Sequence, residues 1–173
     1  LMKQLIILRG NSGSGKTTTA KALRKHLTNS LLISQDVVRR DMLAEKDKPN
    51  SPNIELIDLI ARFGFSHQQI VIVEGILSAA RYGQMLKALM NTADQSLVYY
   101  FDLSFDETLR RHAHRPKAAA FGAEAMHRWF RPHDYLGVPN EHLIQADQSQ
   151  DTVVSRILAD LNKRNSDQAR YSD

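Results

Sequence analysis

Leu5-Ile-Ile-Leu-Arg-Gly10-Asn-Ser-Gly-Ser-Gly15-Lys16-Thr17 decides how the rest of the chain is read. Gly10 to Thr17 fits G-x-x-x-x-G-K-[ST], the Walker A or phosphate-binding loop. The apolar run Leu5 to Leu8 has strand length. After the loop, Ala20, Leu23 and Leu27 recur at helical spacing. Strand, glycine-rich turn and helix is the context the motif requires. Glycines let the backbone wrap around phosphate oxygens. The loop N–H groups and the helix N-terminus then point at the anion. Gly10, Asn11, Ser12, Gly13, Ser14, Gly15, Lys16, Thr17 and Thr18 are therefore the expected ATP-binding residues. Lys16 is expected to reach the β- and γ-phosphates, and the Thr17 hydroxyl to bind Mg²⁺. The alternative is a glycine- and serine-rich turn that only caps a helix.

Working outward, strand-like and helix-like apolar segments alternate. Strands are expected at 4–8, 31–34, 70–74, 97–102 and 142–145. Helices are expected at 16–28, 37–45, 54–63, 79–91, 105–114, 122–130 and 150–163. Such alternation argues for an α/β fold with a parallel sheet covered on both faces. Ile70-Val-Ile-Val73 is continuously apolar, as a doubly buried strand should be. Lys46 to Pro52 is a polar loop with two prolines, expected to break helix between 45 and 54. Asn165 to Asp173 is polar, lacks periodicity and is expected to fray.

Composition bounds the rest. At 173 residues the chain is expected to form one domain, with the ordinary soluble profile of 42% hydrophobic and 24% charged residues. It has no cysteine, which excludes disulfides and thiolate metal sites. No apolar run approaches membrane-spanning length, and Leu5 to Leu8 is too short for a signal-peptide core. The cytoplasm, where ATP is available, is the expected location, with no membrane partner. The net charge of +4 is uneven. Residues 109–133 hold Arg110, Arg111, Arg115, Lys117, Arg128 and Arg131 against Glu124 alone. That local excess implies a polyanion, either a nucleotide or a nucleic-acid backbone.

In open α/β sheets, ligands bind beyond the carboxyl ends of the strands. The first strand ends at the phosphate loop, the second at Ser34-Gln-Asp36 and the third at Glu74-Gly75, so these segments are expected to share a crevice. Asp36 could take a proton from an attacking hydroxyl or help hold Mg²⁺. It or Ser34 could equally cap the helix at 37–45. Arg39, one turn on, could bind an anionic substrate or pair with Asp36. Glu74 suits an outer-sphere partner of Mg²⁺ or a contact to the acceptor hydroxyl, against the plain reading of a solvated strand end. Arg111 and Arg115 share a helix face, and guanidinium forks suit phosphate oxygens. No wider ligand pattern accompanies His112, His114, His127 and His133, which leaves metal ligation weakly supported. Trp129, Phe130 and Tyr135 are read as packing residues rather than the wall of an acceptor pocket.

From about residue 3 to 160 these motifs resemble the P-loop kinase group that includes polynucleotide 5′-hydroxyl kinases, zeta toxins and chloramphenicol phosphotransferases. Asp36-x-x-Arg39 after strand two is similar to polynucleotide and adenylylsulfate kinases, and the resemblance makes Asp36 the base toward the acceptor hydroxyl. Leu103 to Arg115 resembles the lid of the polynucleotide kinases, whose Arg-x-x-x-Arg pair contacts ATP phosphates and falls on Arg111 and Arg115. His112 stands where that lid commonly carries Asn. Val71 to Leu77 is also similar to uridine kinases, but their Asp-x-Phe-Tyr pattern is replaced by Asp36-Val-Val-Arg39. The resemblance implies a three-layer P-loop NTPase fold, sheet order 2-3-1-4-5, and a mobile helical lid at about 109–133.

The expectation is an ATP- and Mg²⁺-dependent kinase acting on a hydroxyl of a nucleoside, nucleotide, polynucleotide end or other small molecule. Lys16, Asp36, Arg111 and Arg115 would be catalytic, Asp36, Arg39 and Glu74 substrate-binding, and Thr17 the metal ligand. Nucleic acid enters only as a possible substrate. An antibiotic or nucleotide-sugar acceptor, as in a zeta-type toxin, is the second acceptor class. The rival from another class is a nucleotide-dependent switch or nucleic-acid-binding NTPase that uses the basic stretch for a partner.

Overall fold

In the computed structural model the apolar runs pair into one sheet of five strands. The structure describes residues 2–67, 69–115 and 121–170, with side chains through residue 163 in the last helix. The strands are β1 (Gln4–Gly10), β2 (Ser30–Ser34), β3 (Ile70–Gly75), β4 (Gln95–Phe101) and β5 (Glu141–Ile144). Their order is β2-β3-β1-β4-β5, and every pairing is parallel. This is the order the resemblance implied. The helices are α1 (Lys16–Arg24), α2 (Pro52–Ser66), α3 (Ala79–Thr92), α4 (Phe105–Ala113), α5 (Ala123–Trp129) and α6 (Gln150–Arg170).

Successive residues of β1 face opposite sides of the sheet, and both sides are covered. Leu5 and Ile7 pack with Ile57, Tyr82 and Leu86 of α2 and α3. Ile6 and Leu8 pack with Ala20 and Leu23 of α1 and with Val153 and Ile157 of α6. An unbroken apolar run is the signature of a strand with two buried faces. Because the pairings are parallel, β1, β2 and β3 deliver their carboxyl ends to one edge.

Several boundaries depart from expectation for local reasons. The segment expected as a helix over 37–45 is a π-helical turn, Val37–Met42. Leu43 N–H donates five residues back to Val38 O, and Ala44 takes a positive φ of 52°. Helix α2 starts two residues earlier than expected, because Pro52 occupies its first turn. There the missing N–H costs nothing and the fixed φ suits the helix. Helix α6 continues to Arg170, beyond the expected end at 163. The start of the tail expected to fray is thus helical, and its last three residues lie outside the described part. No described helix is long and apolar enough to cross a membrane.

Candidate active site

The phosphate loop takes its shape from two glycines and one lysine. Gly13 and Gly15 have φ of 82° and 93°, a region that side chains disfavour. A Cβ on Gly13 would also stand 2.6 Å from Thr108 O, so α4 packs directly on the loop. Lys16, almost fully buried, donates to Asn11 O at 2.8 Å and Ser14 Oγ at 3.2 Å. Its ammonium is thereby held inside the turn that the motif builds for phosphate.

At the next strand end, Thr17 Oγ1 donates toward both oxygens of Glu74, 3.1 Å each. Glu74 is 2% exposed, so this is no solvated strand terminus. A hydroxyl beside a buried carboxylate is the hard oxygen donor set that suits Mg²⁺. The geometry therefore fits the expected metal position. Among the described residues no cluster of three or more His, Asp or Glu side chains forms elsewhere.

Asp36 follows β2. Its carboxylate is 44% exposed and meets Arg39 at 3.5 Å and Arg40 at 3.8 Å. It makes no side-chain cap hydrogen bond to the π-helical turn, so the capping alternative lacks its bond. Arg39 also donates to Glu45 O at 2.8 Å, which ties it to the polar loop.

Lys16, Thr17, Asp36, Arg39 and Glu74 line one cleft of about 720 Å³. Ser12, Gly13 and Arg115 belong to it as well. Arg111 does not. Its guanidinium donates to Glu107 at 2.7 Å, to Ser14 O at 2.9 Å and to Ala146 O at 3.3 Å. It sits on the outer side of the loop, in a second hollow of about 300 Å³ lined also by Ser14, Gly15, Thr18 and Gln148. Arg115 lines both spaces and stands between them. The Arg-x-x-x-Arg pair is thus split, one member behind the loop and one at the junction.

The loop also organises the segment after α5. Asn11 Nδ2 donates to Arg131 O at 2.7 Å, and Arg131 N–H donates back to Asn11 Oδ1 at 2.8 Å. The Asn11 side chain is therefore turned to the backbone beyond α5, and only its carbonyl faces Lys16. Two neighbours of this clip went unread in the sequence. Arg9, wholly buried in β1, pairs with Asp134 at 3.0 Å and Glu141 at 3.5 Å and donates to Leu77 O at 3.0 Å. Burial pulls its pKa down, and the two carboxylates oppose that. Gln35, also buried, accepts from Leu77 N–H at 2.8 Å and donates to Tyr82 Oη at 2.8 Å. Leu77, with a φ of 44°, is held from both sides. An arginine inside an otherwise apolar buried strand is a usable signal, because such a charge must find partners.

The aromatic residues are not all core. Trp129 is 37% exposed and meets Phe121 edge-on at 5.1 Å, and both line the large cleft. Tyr135 is 40% exposed and donates to Asp102 at 2.8 Å, which pushes its pKa up to about 12. Phe130 packs on Phe105, as a packing residue should. The histidines have other partners: His112 contacts Phe121 O at 2.9 Å and His133 contacts Asp102 at 2.8 Å.

Fold and loop together define a P-loop nucleotide-binding protein. Residues 5–133, well over half of the chain, match a family described as an AAA domain, and the protein belongs to that family. No curated protein matches the sequence. The structure is similar to that of the APS kinase CysC of Mycobacterium tuberculosis in complex with AMPPNP and APS, with TM-score 0.74 and 18% identity over 94% of this chain and 99% of that one. It is similar to a gluconokinase from Sinorhizobium meliloti, with TM-score 0.65 and 15% identity over 99% of each chain. It is also similar to a sugar kinase from a Janibacter species, with TM-score 0.66 and 14% identity over 92% and 95% of the two chains. At these identities the likeness is one of fold.

Proposed function

We propose that this protein is an ATP- and Mg²⁺-dependent kinase that transfers the γ-phosphoryl group to a hydroxyl of a nucleotide, nucleoside, polynucleotide end or other small molecule. One observation carries the reading: the phosphate-loop lysine, the Thr17–Glu74 pair and Asp36 line a single cleft at the carboxyl edge of the sheet. The likeness in fold to proteins named as kinases supports it. A switch would need the loop but would have no use for an acceptor-side carboxylate. The basic stretch also counts against a nucleic-acid surface, since Arg115, Arg128 and Arg131 line the cleft.

On this reading the loop amides and Lys16 bind the triphosphate, and the base occupies the smaller hollow beside Arg111 and Thr18. Thr17 and Glu74 would hold Mg²⁺, which would neutralise negative charge on the phosphates. Asp36 accepts the proton as the acceptor oxygen bonds to the γ-phosphorus. The bond from that phosphorus to the bridging oxygen breaks, and ADP leaves. Arg115, at the junction of the two spaces, offers its cation to the transferring group, while α4 and α5 form the lid that keeps water out.

Labelled ATP, offered with a panel of hydroxyl compounds, tests this proposal. Transfer of label to one of them is expected. ATP hydrolysis that no hydroxyl compound diverts, together with salt-sensitive nucleic-acid binding, would instead favour the switch.

A further inference from the structure

The large cleft is far more positive than ATP requires. Among the described residues, its lining holds eight Lys and Arg side chains against three carboxylates. Magnesium ATP is a net dianion, so most of that excess is left for something else. The surplus lies away from the phosphate loop. Arg128, near the end of α5, and Arg131, three residues on, both line the cleft. Arg131 lies past the end of the helix, so the cleft rather than helical spacing brings the two together. Neither guanidinium has a hydrogen-bonded or acidic partner among the described residues. Arg40 and Arg81, by contrast, are paired with Asp36 and Asp47.

Arg131 is also fixed in place. Its backbone is clipped on both polar atoms by Asn11, and its carbonyl accepts from Tyr100 Oη at 3.4 Å. Arg131 is an exposed side chain on a backbone anchored to the phosphate loop and β4, so its guanidinium is held at the cleft and open to a ligand there. A second observation points the same way. Ser78, 3% exposed, lines the same cleft, and its Oγ has no partner among the described residues. The buried Nε of Arg39, another lining residue, is likewise unpartnered. Buried polar atoms are normally satisfied, and unsatisfied ones call for an explanation. Phe121 and Trp129 add an apolar wall beside Arg128.

Resting on the kinase reading for the identity of the cleft, we infer that the acceptor is a small hydroxyl compound carrying its own phosphate. That phosphate is bound by Arg128 and Arg131, and the body of the compound lies against Phe121 and Trp129. Two guanidinium forks suit the three free oxygens of a phosphate monoester better than the two of a carboxylate. A cleft of about 720 Å³ shared with the γ-phosphate fits a sugar phosphate or mononucleotide.

Two measurements test this. In the first, the protein is saturated with Mg²⁺ and a non-hydrolysable ATP analogue, which fills the loop, and is then titrated with inorganic phosphate. Binding is expected, and Arg128→Gln combined with Arg131→Gln should weaken it by roughly tenfold or more, with analogue affinity nearly unchanged. Absence of phosphate binding, or binding indifferent to the double variant, overturns the inference. Acetate that binds as well as phosphate overturns the phosphate assignment.

In the second, labelled ATP is offered with matched pairs: glycerol and glycerol phosphate, ribose and its monophosphate, thymidine and its monophosphate. The phosphorylated member should be preferred by roughly tenfold or more in kcat/KM, and the double variant should erase the preference. Equal use of neutral members overturns the inference and leaves the kinase reading standing. If none of these compounds is phosphorylated, the phosphate titration decides whether the oxyanion site exists, and its failure overturns the inference.

Discussion

Thr17 Oγ1 stands 3.1 Å from both carboxylate oxygens of Glu74, although the two residues are 57 positions apart. The sheet makes this contact. Glu74, the penultimate residue of β3, is in register with Leu8 of β1 on one side and with Ser34, the last residue of β2, on the other. If the pair holds Mg²⁺, Glu74→Gln preserves shape and the contact to Thr17 but removes the charge. The magnesium concentration needed for half-maximal activity should rise by roughly 10–100-fold. An unchanged magnesium dependence would remove Glu74 from the metal position.

Lys16 donates to Asn11 O and Ser14 Oγ of its own loop. Lys16→Ala should keep the fold by circular dichroism, since the sheet and its two cores do not use this side chain, and abolish phosphoryl transfer. Full turnover by the folded variant would contradict the assignment of the loop.

Arg9 joins β1 to the segment after α5 and to the turn before α3. Asp134 accepts from both Arg9 and Ala79 N–H at 3.0 Å. Arg9→Met fills the space but strands Asp134 and Glu141. Removing one partner of a buried ion pair typically costs about 3–5 kcal/mol. Urea unfolding should show a loss of that order, and a loss below about 1 kcal/mol would mean that the network is dispensable.

Glu107 caps the approach to the loop from α4. Hydrogen bonds from Arg110, then Arg111, lower its pKa from an ordinary 4.5 to about 2. Because the folded value is depressed, the stability this carboxylate contributes is complete above pH 4.5 and is lost as pH falls toward 2. Carbon-detected NMR of the Glu107 carboxyl should show a midpoint well below 4.5. A midpoint at or above that value would mean that the Arg110–Glu107–Arg111 fork does not persist in solution.

Much of this architecture is legible in the sequence because burial on two faces leaves a plain mark. Leu5 to Leu8 and Ile70 to Val73 are unbroken apolar runs, and a phosphate loop between strand and helix orients the whole sheet. The edges of elements are less legible. Pro52 reads equally as a breaker or as a first helical residue, and only the docking of α2 decides between them. The π-helical turn after Asp36 is closed by Leu43 N–H on Val38 O and flanked by Arg39 on Glu45 O, local contacts that leave no periodic signal. In the site, residues at strand ends could be read, because strand ends converge in any such sheet. Gln35, Ser78 and the Asn11–Arg131 clip could not, since each depends on a side chain meeting backbone or cleft far along the chain. Trp129 reads as a packing residue because helical spacing alone does not say which side of a short helix faces a cleft.

The central claim is that Asp36 takes the proton of the acceptor hydroxyl. Asp36 makes no capping hydrogen bond, and its ion pairs with Arg39 and Arg40 are partly exposed, so Asp36→Asn should cost little stability, about 1 kcal/mol or less. Asparagine cannot accept the proton. The decisive measurement is the rate of acceptor phosphorylation beside the dissociation constant for ATP–Mg²⁺, in wild type and Asp36→Asn. Transfer should fall by roughly 10²–10⁴-fold while ATP affinity changes by less than about tenfold. Near-wild-type transfer by the variant would contradict the account, and an equally steep loss of ATP–Mg²⁺ affinity would place Asp36 at the metal instead.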